Sequence, residues 1–71
     1  MRLNLTLCSS FESDFKDRHY YVYQLVDSAT LNILTYSSES PLPYKIGDIL
    51  DCVLGIKKNK LYVSEVVDKI K

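Results

Sequence analysis

Polar and apolar residues alternate with period two along most of the chain, which predicts strands rather than helices. In "RLNLTLC", Leu3, Leu5 and Leu7 fall on one face and Arg2, Asn4 and Thr6 on the other, as in a half-buried first strand. "SSFESDFKD" is polar apart from Phe11 and Phe15 and predicts a loop. "RHYYVYQLV", residues 18–26, predicts a second strand, and "DSAT" ends it because its Asp and Ser bond their own backbone. "LNILTYS" predicts a third strand. Two prolines and a serine cluster make "SSESPLPYKIGD" an extended, helix-free loop. "DILDCVLGIKK" and "KLYVSEVVDKI" predict the last two strands, joined by a tight turn near Asn59, since Asn tolerates a left-handed backbone. Gly55 inside the fourth strand predicts a bulge or sharp bend. In "YKIGDIL", Gly47 and Asp48 read as structural: the glycine turns the chain and the aspartate stabilises the turn.

Five short strands around one long loop predict an all-β fold. The expected form is a small five-stranded antiparallel OB-type barrel lacking the usual helix between strands three and four, with an SH3-like barrel as the alternative. With 71 residues and no internal repeat, the chain makes a single domain, residues 1–71, close to the smallest size that folds unaided.

Formal net charge is zero, which excludes a strongly basic protein, yet the charge is uneven. Residues 1–56 carry four basic and seven acidic side chains, whereas 57–71 carry five lysines and two acids, so a basic rim is confined to the C-terminal part. Cys8 and Cys52 have neither CxxC spacing nor a histidine cluster, so free buried thiols are expected, with no disulfide framework and no metal site. The N-terminus lacks the apolar run of a signal peptide, and no stretch reaches membrane-spanning length. A cytoplasmic protein without membrane contact, cofactor or small-molecule substrate is expected.

The tyrosines set the functional question. Six tyrosines without a tryptophan suit a sequence-independent binder of single strands, because every base offers a π-face to stack upon. With Val22 and Val26 inside, Tyr21 and Tyr23 face outward; the opposite register exposes Tyr20 instead, and the pattern leaves both open. Tyr36 is expected to oppose Ile33 on the third strand, and Tyr44 either packs under the Gly47 turn or points into a groove. Lys57, Lys58 and Lys60 surround one turn, Lys45 opens the fourth strand, Arg18 borders the tyrosine strand and Lys16 precedes it. Such cations would hold phosphates and release condensed counterions. Taken separately, tyrosines cap small cores with their hydroxyls wet, and hairpin lysines keep strand edges from pairing.

"YKIGDILDCVLGIKKNKLYVSEVVDKI", together with "HYYVYQLVD", resembles the filamentous-phage single-stranded DNA-binding proteins over residues 18–70. The resemblance implies a helix-free OB-type barrel, a homodimer and cooperative coating of single-stranded DNA in phage or plasmid replication. It would place a phage-encoded protein in the host cytoplasm, with single-stranded RNA as an alternative ligand. The rival expectation is a protein-interaction or assembly module using exposed tyrosines as a subunit contact, which zero net charge suits. An enzyme is not expected: His19 is the only histidine, nothing in the sequence fixes a geometry or an orienting acid for it, and Asp48 and Asp51 fall on opposite strand faces.

Overall fold

The computed structural model describes residues 1–70. They form five strands and no helix: β1 (Arg2–Phe15), β2 (Arg18–Val26), β3 (Ile33–Ser38), β4 (Ile49–Lys57) and β5 (Lys60–Ile70). All pairings are antiparallel, in the order β3-β2-β1-β4-β5. β3 approaches β5 without joining it in a ladder, so the sheet curls into a small, barrel-like form that stays open between them. Glu39–Asp48 contains no helix, as the prolines require.

Curvature is built into the long first strand. Its first half, Arg2–Thr6, pairs with β4, and its second half, Thr6–Phe15, pairs with β2. Between them Cys8 is a bulge residue, skipped by the ladder, and its Sγ lies 3.3 Å from the carbonyl oxygen of Gln24. Further bulges fall in β5 at Ser64 and Val67. Gly55 itself stays in register opposite Tyr62, contrary to the bulge expected there. A Cβ at Gly55 would lie 2.6 Å from the Tyr62 ring, so the missing side chain makes room for that ring across the strand pair.

The segment expected to be a polar loop, residues 9–17, is instead mostly strand. Ser9–Phe15 pairs residue for residue with Gln24–Arg18, and Lys16 and Asp17 alone form the turn, at φ 49° and 62°. Two successive positive φ values mark a type I′ hairpin turn, whose twist matches that of the strands it joins. Lys58 and Asn59, at φ 52° and 63°, make the same turn between β4 and β5.

The interior is small. Leu5, Leu7, Tyr23, Leu25, Leu50, Cys52, Leu54 and Val63 form the buried cluster, drawn from four of the five strands. Cys52 is fully buried, and desolvation, with a smaller contribution from Asp51, pushes its thiol up to about 11, so it stays neutral. Cys8 is exposed, a correction to the expectation of two buried thiols.

Gly47 lies at φ 99°, its N–H donating to the Leu7 carbonyl at 2.8 Å. Beside it, Asp48 accepts the Lys45 N–H at 2.9 Å, which holds its carboxyl below the usual range. No atom crowds a Cβ built at Gly47, so the cost of a side chain there is purely conformational. Gly47→Ala is expected to destabilise the fold by about 1–2 kcal/mol in urea denaturation, with an unchanged m-value.

Candidate nucleic-acid interface

The register resolves which tyrosines are available. Tyr21, Tyr23 and Leu25 share the inward face of β2, alongside Leu34 and Tyr36 of β3. Tyr23 is 6% exposed and its hydroxyl accepts the Leu42 N–H at 2.8 Å, tying the β3–β4 linker to the sheet. Tyr21, Tyr36 and Tyr44 are half-buried and pack against the same core. These four are therefore core residues, not an outward stacking surface. The cause is Gln24, which shares a face with Val22 and Val26: turning that face inward would bury an amide. Tyr20 alone among the β2 tyrosines faces outward. Ile33, correspondingly, is exposed and Tyr36 inward.

An aromatic surface exists nonetheless, on residues whose composition predicts a loop. Beyond Tyr21 the β1–β2 hairpin has no third strand, so Ser13–Phe15 and Arg18–Tyr20 form a projecting two-stranded ribbon, with Phe11 and Glu12 at its base. On its outer face Phe11 pairs with Val22, Ser13 with Tyr20, and Phe15 with Arg18. Phe11 and Phe15 are 50% and 59% exposed, whereas Val22 is 8% exposed and forms the floor between them. Ser13, Phe15, Tyr20, Val22 and Ser37 line a shallow, mostly apolar depression. The Lys16 ammonium stands 5.3 Å from the Phe15 ring centroid. Arg18 pairs with Glu39 at 2.6 Å, which leaves it partly neutralised as a phosphate ligand.

From this depression the outer face of β2 and β3 continues through Gln24, Thr35 and Val26 to Ile33. From Ser37 to Ile33 the strand covers roughly 13 Å. Its far end meets a second depression, where Asn32 and Ile33 lie beside Asn59, Lys60 and Leu61. Lys57, Lys58 and Lys60 are exposed at that turn, with no ion pair among the described residues. Lys45 lies in the turn entering β4 and lines neither depression. Leu3 and Leu34 of the inward side also line this second depression, so it opens at the gap between β3 and β5, and the lysine turn stands at the far end of β3 from the aromatic turn.

Sequence reasoning missed Phe11 and Phe15 because Glu, Ser and Asp between them read as loop composition. The overlooked signal was their period-two spacing ahead of a two-residue Lys-Asp turn. Among the described residues no group of His, Cys, Asp and Glu is placed to hold a metal, and no helix is long and apolar enough to cross a membrane. Comparison with protein-family models, curated proteins and solved structures finds no match to this chain.

Proposed function

We propose that this protein binds single-stranded DNA without sequence preference along the outer face of β2 and β3. The observation that carries the reading is the pair of exposed rings, Phe11 at the base of the ribbon and Phe15 near its tip, with half-buried Tyr20 between them on the same face. Solvent-exposed rings on a projecting hairpin contribute nothing to the core, and flat apolar faces flanked by cations are what base stacking requires. In OB-type barrels the β2–β3 face and the β1–β2 and β4–β5 loops commonly bind oligonucleotides. Here those loops carry Lys16 at one end and Lys57, Lys58 and Lys60 at the other. The resemblance to filamentous-phage single-stranded DNA-binding proteins supports the same reading and the replication setting that goes with it.

Phosphates are held chiefly by the lysine turn, while the rings take the bases. A second copy, as the resemblance implies, associates through the exposed edge of the β4–β5 hairpin at Ile56, which is 67% exposed. Dimerisation doubles a footprint that zero net charge would otherwise leave weak. Fluorescence anisotropy of a labelled oligothymidylate, titrated over a range of salt, tests the reading. Binding that weakens steeply with salt is expected. Replacing Lys57, Lys58 and Lys60 by glutamine should flatten the log–log salt slope by about 0.7 for each phosphate no longer neutralised, roughly 2 for all three. A tight oligomer indifferent to oligonucleotide at low salt would instead mark an assembly module.

A further inference from the structure

The other face of the ribbon carries Glu12, Asp14 and His19. Asp14 lies opposite His19 in the ladder, and Glu12 lies opposite Tyr21, whose ring meets the imidazole edge-on at 5.1 Å. His19 Nδ1 is 2.6 Å from Asp14 Oδ1, and Nε2 is 2.7 Å from Glu12 Oε1. A neutral imidazole has one N–H and one lone pair, so it can donate to only one of these carboxylates. Both contacts require the imidazolium.

We propose that His19 is a proton-operated clasp: protonated, it ties the two ribbon strands together across their back and offsets part of the carboxylate charge behind the aromatic strip; deprotonated, it releases one of the two carboxylates. The charged groups around the clasp are few. Glu12, Asp14 and Asp17 oppose Lys16, Arg18 and His19 along the ribbon, and Glu39 reaches Arg18 from the β3–β4 linker. Four carboxylates thus face three cations when His19 is charged and two when it is not, so deprotonation makes an already acidic tip more acidic. The hydrogen bond to Asp14, then that to Glu12, holds the His19 pKa above the ordinary imidazole value. Because the folded value is raised, the clasp is fully closed below about pH 6.5 and opens as pH rises through the folded pKa. Its effect on ligand affinity rests on the ribbon's binding nucleic acid, as proposed above; the clasp itself does not.

His19 is the only histidine, so its ring resonances can be titrated by NMR in the whole protein. A midpoint above about 6.5 is expected, returning toward it in the double variant E12Q/D14N. Backbone heteronuclear NOEs at residues 13–19 should fall between about pH 5 and about pH 8, and not in H19Q. Oligothymidylate affinity at constant salt should drop about two- to fivefold over the same interval, again not in H19Q. An unshifted midpoint overturns the clasp, as does tip mobility that ignores the titration. An affinity change shared equally by H19Q overturns its link to binding. A raised midpoint with matching mobility, but no oligonucleotide bound at either pH, upholds the clasp and removes the nucleic-acid reading instead.

Discussion

Phe15→Ala is expected to lower affinity for an unstructured oligonucleotide by roughly five- to a hundredfold, the range measured when one stacked base loses its ring. Folding stability should stay within about 0.5 kcal/mol of the parent, as for other surface substitutions. The reason is positional. Phe15 is 59% exposed at the end of a two-stranded ribbon, so truncation gives up little buried area. Tyr20, which lines the same depression but is half-buried, should lose affinity similarly with a somewhat larger stability cost, and the two substitutions should couple because they act on neighbouring positions of one ligand. Anisotropy titration with thermal melts of the same samples separates binding from folding. Lost affinity accompanied by an equal loss of stability would place these rings in the core instead.

Tyr23→Ala is expected to do the reverse, costing about 3–5 kcal/mol. That is a large part of the roughly 5–15 kcal/mol that holds a domain together, so a protein of this size would be mostly unfolded or close to it. Tyr23 faces Tyr36 across the β2–β3 ladder, packs in the central cluster and anchors the linker through its hydroxyl. Tyr23→Phe keeps the ring and removes only that bond, so about 0.5–1.5 kcal/mol is expected, read by urea denaturation. Oligonucleotide affinity of the Phe variant should equal that of the parent. A selective loss of binding there would return Tyr23 to the ligand surface.

The contrast between Phe15 and Tyr23 also measures how much was legible in the sequence. Strand positions, the Asn59 turn, the helix-free linker and the roles of Gly47 and Asp48 follow from alternation, proline and local hydrogen bonding, which act over a few residues. Facing is a different matter, because a one-residue slip exchanges the two sides of a strand. For β2 the discriminating residue was Gln24, not the valines: a face holding an amide does not turn inward when Leu25 offers an apolar alternative. The ribbon was hidden for another reason. Its residues are exposed on both faces, so no buried stripe marks Ser9–Phe15 as strand. Pairing with Arg18–Gln24 and the Lys16–Asp17 turn hold it in place, and those are long-range and conformational facts. Of the positions expected to contact nucleic acid, Tyr20, Lys57, Lys58 and Lys60 lie on the proposed face. Tyr21, Tyr23, Tyr36 and Tyr44 belong to the core, Arg18 is engaged by Glu39, and Lys45 is at neither depression.

Uniting the ribbon and the lysine turn on one side of the barrel is the step on which the functional account stands. Amide chemical-shift mapping during an oligothymidylate titration at low salt addresses it directly. Perturbed signals should trace residues 11–20, cross Thr35 and Ser37, and reach Lys58 and Lys60. Silence along that path, with changes confined to the opposite flank around Ile49 and Ile70, would contradict it.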